Sequence, residues 1–457
     1  MEIIQKKSLY KWVLTLAVPM ALQNIIAFSI GLTDNIMVGS LGEIAMSGVF
    51  VANQIQSIIQ MLILGLSSAL TVVAVQYWGK KDIASVKIIV SIALKFSVGA
   101  GFFFLMITLF FPMQILQIFT NDHTIINESL KYLTIIRFTY VFYCLTQILI
   151  ASMRCVEKVK VAMYISIITF FVNIFLNWIL IFGHFGAPAL GIRGAAIATL
   201  VSKMIETSIM IYYVRFVDDR LHFKFNDLLS SNLTLLKDFL KYGIPVISGD
   251  LFWGINLAVQ GAIIGRLGAT AMASVSIANV AFSIVSVGIY GAAVSSAVII
   301  GKTVGSGDYD LVKEYAKKLQ ILFLVLGVIS GIVLFIAKDY ILLLYNVSES
   351  TLIMTTQFLT VLSITIVGTA YQVSTLTGIV RAGGSIYFVL INDLIFVWLV
   401  IIPSAMVAAF VFHSPPLLVF MCLKSDQILK CVVAVVKVNR FKWIKNLTIE
   451  ANTISKS

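Results

Sequence analysis

Charge is what this sequence has least of. Only 12% of its 457 residues are Asp, Glu, Lys or Arg, about half the roughly 25% of a soluble domain, so a water-soluble globular chain is excluded. Cysteine is scarce as well: Cys144, Cys155, Cys422 and Cys431 are scattered through apolar segments and form no CxxC pair, the pattern of small core hydrophobes. The four histidines, His123, His184, His222 and His413, fall in separate loops without metal-ligand spacing, and no GxSxG nucleophile motif accompanies them. Gly301-Lys302-Thr303 has the ending of a phosphate loop, but Ser296 stands where the leading glycine belongs and the run ends an apolar segment. ATP binding and hydrolytic or metal catalysis are set aside, and the chain is not expected to be an enzyme.

What is present is apolar length. Sixty per cent of the residues are hydrophobic, gathered in runs of the about 20 residues that cross a bilayer. Polar interruptions divide them into twelve, near 11–36, 48–77, 86–111, 129–152, 161–182, 193–215, 237–263, 273–301, 313–336, 352–378, 386–411 and 415–437. Helices are the expected form, because irregular backbone and open sheet edges stay unsatisfied in lipid. The basic N-terminal stretch leads into a run too long for a signal-peptide core, so it reads as a retained first helix.

The formal charge of +12 would point to nucleic acid in a soluble protein. Here its placement explains it. Counted around alternate loops, 25 Lys and Arg residues fall on one side and four (Lys131, Arg193, Arg266, Lys338) on the other. The positive-inside rule then places both termini in the cytoplasm, with the lipid bilayer as a partner and no nucleic acid.

The chain also repeats itself. At an offset of 226, Pro19 matches Pro245, Gly39 matches Gly265, Gly42 matches Gly268, Asn53 matches Asn279, and Gly79 and Asp82 match Gly305 and Asp308. Arg154 and Arg381 correspond at an offset of 227. Six helices per repeat give the halves one orientation, related by an axis along the membrane normal, as in transporters with parallel repeats. The expected division is a first lobe over 1–222, a cytoplasmic linker over 223–235 and a second lobe over 236–457. Pro19 and Pro245 lie inside spanning segments, where proline removes a donor and bends or breaks a helix, either as a packing kink or as a gating point.

These residues form a recognisable set. The pattern P-x3-Q-x10-D-x2-MVG-x-LG-x2-A from Pro19 to Ala45, its echo from Pro245 to Ala271 with Gln260 in place of Asp34, the GKKD and GSGD loops, and Asn173-x3-Asn177 followed by GIRGAAIAT resemble the multidrug and toxic compound extrusion (MATE) family. The resemblance covers nearly the whole chain and becomes diffuse after about Ser404. It implies an all-α integral membrane protein of twelve helices, in two six-helix bundles around a V-shaped cleft. Its activity would be export of organic cations or other amphipathic compounds by rocking of the lobes, in exchange for Na+ or H+. The implied setting is the plasma membrane, with the protein a monomer and no cofactor beyond the coupling ion. The nearest alternative is a flippase for lipid-linked sugars of the same superfamily, which would want several cations in its cleft. An alternative of another class is a membrane enzyme or receptor without a transport cycle.

In the family, the acid of the first helix and polar groups of the fifth and sixth form a cation site. Carried over, these are Asp34, Asn173, Asn177 and Thr199, with Na+ as the candidate metal at Asp34, Asn173 and Asn177. Asparagine stands at 177 where some members have aspartate. On physical grounds a carboxylate within a spanning run costs about 2.5–3.5 kcal/mol on insertion scales, and a bound cation offsets what burial takes. Asn173 and Asn177, four apart, share a helix face and add amide oxygens of the kind a small hard cation prefers; interhelical hydrogen bonding would use the same groups. Gln23, Asp250, Asn256, Tyr371, Gln372 and Asp393 are candidates for the substrate cleft, with a structural role open for Asp250 and Asp393. Lys203 and Glu206, at i and i+3, are expected to neutralise one another, and Lys95 and Arg137 either find acids or snorkel.

Overall fold

The computed structural model describes residues 8–230, 232–343, 345 and 347–448. Lys6, Lys7 and Lys456, which enter the charge count above, lie outside the described residues. Among those described there is no β-strand. Ten helices are long and apolar enough to cross a bilayer: α1 (Leu9–Gly39), α2 (Glu43–Gly79), α3 (Ile83–Phe110), α5 (Val159–Phe182), α6 (Ile192–Val217), α7 (Leu233–Gly265), α8 (Ala269–Ser306), α9 (Tyr309–Leu342), α10 (Glu349–Arg381) and α11 (Ile386–Val411). Between α3 and α5 lies α4, His123–Ile136 followed by Thr139–Cys155 with a 53° bend. The twelfth span, α12, is Pro416–Lys424 and Asp426–Asn439, joined through Ser425. Ten of the expected runs are thus single spanning helices, an eleventh is the bent α4, and the last run, 415–437, is divided between the two shorter helices of α12. The bend at Arg137 and Phe138 was not legible, since neither proline nor glycine marks it.

The repeat is kept where local geometry demands it. Gly42 and Gly268, at φ of 109° and 112°, turn the chain between the paired first helices in a conformation that a side chain resists. Asp82 and Asp308 cap α3 and α9, their carboxylates accepting from the backbone N–H of Ser85 and Leu311, a preferred N-cap arrangement. Gly79 and Gly305 serve a different purpose, close approach. A Cβ on Gly79 would lie 2.0 Å from the Lys302 carbonyl oxygen, and one on Gly305 1.9 Å from that of Gln76. Only glycine lets the last turns of α2 and α8 cross there.

By contacts the chain forms two compact units: Met1–Ala21 with Val75–Lys81 and Ile244–Ser457, and Leu22–Ala74 with Asp82–Gly243. In the first unit, Phe358 of α10 stacks on Phe420 of α12 at 4.3 Å, inside a core that includes Ile263, Leu334, Leu362 and Ile401. In the second, Ile89, Leu133, Cys144 and Ile148 are fully buried. α1 passes from one unit to the other after Ala21, two residues beyond Pro19, and α7 does so after Gly243, two before Pro245. Both helices run unbroken through their prolines. Outward, Ile321, Leu324, Val325, Val328, Ile332 and Ile336 of α9 are exposed, an apolar face that lipid covers at no cost.

Several polar residues sit otherwise than the sequence suggests. The stretch expected to link two lobes packs closely on α3: Lys87 pairs with Asp227 at 3.2 Å, and Ser91 and Lys95 donate to the carbonyls of Leu228 and Ser230. Lys95 and Arg137 form no ion pair among the described residues; Arg137 donates to the Thr108 carbonyl at 3.4 Å. Lys203 and Glu206 do pair, at 2.6 Å. Lys430, one of the 25 basic residues counted around alternate loops although it falls inside the 415–437 run, is 2% exposed within α12, and two carboxylates meet it.

Candidate functional site

α1, α5 and α6 supply the residues carried over as a cation site. Asp34 lies five residues before the end of α1 and is half-buried, while Asn173 and Asn177 on α5 are buried. Asn177 Nδ2 donates to Asp34 Oδ1 at 2.6 Å and to Asn173 Oδ1 at 3.2 Å. A carboxylate only accepts, so Asp34 turns the NH2 of Asn177 towards itself. That leaves Asn177 Oδ1 outward, a buried acceptor with no hydrogen-bond partner among the described residues. Such a group calls for an explanation, and Asp34, Asn177 and Asn173 are the residues that could hold a small cation here. The donors fit a monovalent ion with one carboxylate and amide oxygens, and among the described residues no group of three or more His, Cys, Asp or Glu could hold a metal.

Thr199 is set one step away. It lies beside the Tyr132 hydroxyl of α4, as does Asn53 of α2. Tyr132 was missed by the sequence reading, and nothing local marks it. Asn53 carried a signal, as one of the positions kept in the repeat.

The cleft candidates divide into separate pairings. Gln23 accepts from Arg154 Nη2 at 2.8 Å. Asp250 is bound by Arg381 Nη1 at 3.0 Å, both side chains under one-fifth exposed. In each case the arginine closes a helix and lies 131 residues after its partner, so one clasp occurs twice, neutral in the first half and ionic in the second. Tyr371 donates to Gln320 Oε1 at 2.7 Å and Gln372 to Gln427 Oε1 at 2.9 Å. Asp393 meets Lys430 at 2.7 Å, and Lys430 also reaches Asp426 at 3.6 Å. Asp393 lines a small pocket with Phe252, Trp253, Leu390 and Trp398. Asn256 is 1% exposed and accepts from Gln260.

The match to known proteins agrees with this architecture. The family described as MatE matches at residues 19–179 and again at 247–407, once in each half of the repeat, and the chain belongs to that family. It is a multi-pass membrane transporter and not an enzyme. The chain is similar to a probable multidrug resistance protein NorM of Thermotoga maritima, 24% identical over 96% of this chain and 94% of the relative. It is similar also to a probable multidrug resistance protein YoeA of Bacillus subtilis, 23% identical over 88% and 87%. Among solved structures, a Vibrio cholerae MATE transporter, VcmN, superposes with a TM-score of 0.86 at 16% identity, over 96% of this chain and 98% of that one. An outward-facing multidrug resistance MATE family transporter gives 0.85 at 17%, over 97% and 99%. These structures support the twelve-helix fold.

Proposed function

We propose that the chain is an antiporter that exports amphipathic compounds, organic cations among them, in exchange for Na+ or H+ bound at Asp34. The observation that carries this reading is the Asp34–Asn177 pair with its unpartnered buried oxygen. Asn173 holds the amide of Asn177 in place, and Thr199 stands at one remove, beside Tyr132. The relatives' names, which call them multidrug resistance proteins, support the substrate class.

An ion drives the cycle only by the difference in its affinity between two states. Asp34 is suited to this because, among the described residues, its only hydrogen-bond partner from another helix is an amide, which a cation or proton displaces without stranding a charge. The excess of basic residues around alternate loops supports cytoplasmic termini, and exchange driven by an inward ion gradient across the plasma membrane carries the substrate outward.

The test is counterflow in proteoliposomes with ethidium, under imposed Na+ and H+ gradients separately. Export should follow one gradient and fall to the rate of empty liposomes in Asp34→Asn. A variant that still exports at the wild-type rate under both gradients would remove Asp34 from coupling.

A further inference from the structure

The place equivalent to Asp34 in the second half is Gln260, and its surroundings have the opposite polarity. Lys424 of α12 donates to Gln260 Oε1 at 3.4 Å, and Gln260 Nε2 donates to Asn256 Oδ1 at 3.0 Å. An ammonium only donates. It therefore fixes which end of Gln260 faces it, and Gln260 in turn fixes Asn256. What is left over is Asn256 Nδ2, a donor with no partner on a residue 1% exposed. In the first half the acid leaves a spare acceptor; here the lysine leaves a spare donor.

Lys424 has only the neutral Gln260 as a hydrogen-bond partner among the described residues. It forms no ion pair among the described residues, its ammonium lies 5.6 Å from the Phe420 ring, and the acid two residues on, Asp426, is engaged by Lys430 and by Gln427 at 2.9 Å. A lysine half-buried within a spanning helix is costly and usually functional. We infer that Lys424, Gln260 and Asn256 form a binding site for an anionic, acceptor-bearing group, such as the carboxylate of an amphipathic substrate. The ammonium supplies charge and the Asn256 amide a directed second bond, which together are stronger than either between neutral groups. The site extends the export reading to substrates that carry an acid, and rests on that reading only for the direction of transport.

The experiment measures binding without any gradient. Full-length protein in detergent is titrated into 5-carboxyfluorescein, and separately into ethidium, with anisotropy as the readout. The wild type should bind carboxyfluorescein saturably. Lys424→Gln should weaken that affinity at least tenfold and leave ethidium within twofold, while Lys424→Arg should keep both. Asn256→Leu should weaken carboxyfluorescein selectively as well. Absence of saturable carboxyfluorescein binding, an unchanged affinity in Lys424→Gln, or equal weakening of both probes overturns the inference. A protein that binds carboxyfluorescein through Lys424 yet shows no ion-driven ethidium export keeps this site and loses the coupling reading.

Discussion

Two places built on the same repeat, the end of α1 and the end of α7, have come to opposite electrostatic solutions. At the first, Asp34 faces two asparagines of α5; at the second, Gln260 faces an asparagine of its own helix and a lysine of α12. Each is a short chain of amides fixed by one charge at its end. The lesson is that a single charged group decides the polarity of a buried amide chain, because every amide has both a donor and an acceptor end and must pass on whichever it does not use. The Arg154–Gln23 and Arg381–Asp250 clasps make the same comparison again, with one partner neutral and the other charged.

The comparison breaks most sharply if the acid is moved. In the double exchange Asp34→Gln with Gln260→Asp, the new carboxylate faces Lys424 and is neutralised by it, so gradient-driven ethidium export in proteoliposomes should fall to the rate of empty liposomes. Export at the wild-type rate would show that the position of the acid is immaterial. Next come the clasps. Arg381→Ala strands the Asp250 carboxylate and should cost about 3 kcal/mol, whereas Arg154→Ala removes a bond to a neutral amide and should cost about 1–2 kcal/mol. Thermal unfolding followed by intrinsic fluorescence reads the difference, and adding Asp250→Asn to Arg381→Ala should recover much of the loss.

Gln260→Glu sharpens the second site. The glutamate pairs with Lys424, turns the NH2 of Asn256 towards itself and leaves an oxygen spare, so carboxyfluorescein affinity should drop about tenfold, or roughly 1.4 kcal/mol. The smallest effects belong to the scaffold common to both halves. Gly42→Ala and Gly268→Ala place a side chain at positive φ and should each cost roughly 1 kcal/mol. Unequal losses by thermal unfolding would show that the two turns do not bear the same constraint.

Much of the fold was legible because lipid leaves few choices. An apolar run long enough to span must be helical, and the repeat could be read as residues at fixed spacing: the glycines of the turns and the aspartates that cap α3 and α9. Asp34, Asn173 and Asn177 were legible as well, a carboxylate and two amides at helical spacing. What could not be read was partnership. Arg154 and Arg381 fall in loops between the apolar runs and Lys430 was counted with the loop cations, yet each turns into its unit to meet a polar group from a distant helix. Lys424 carries no motif, and its meaning depends wholly on Gln260, 164 residues away.

The sequence by itself determined the twelve spans, the twofold repeat and the single acid of α1, since these follow from apolar length, spacing and residue type along the chain. The tertiary structure alone decided the 53° bend of α4, the passage of α1 and α7 from one unit to the other beside their prolines, and the direction in which each buried amide points. The physical reason is that hydrophobic length acts locally, whereas the orientation of a hydrogen-bonding group is set by whichever neighbour the packing brings within 3 Å or so.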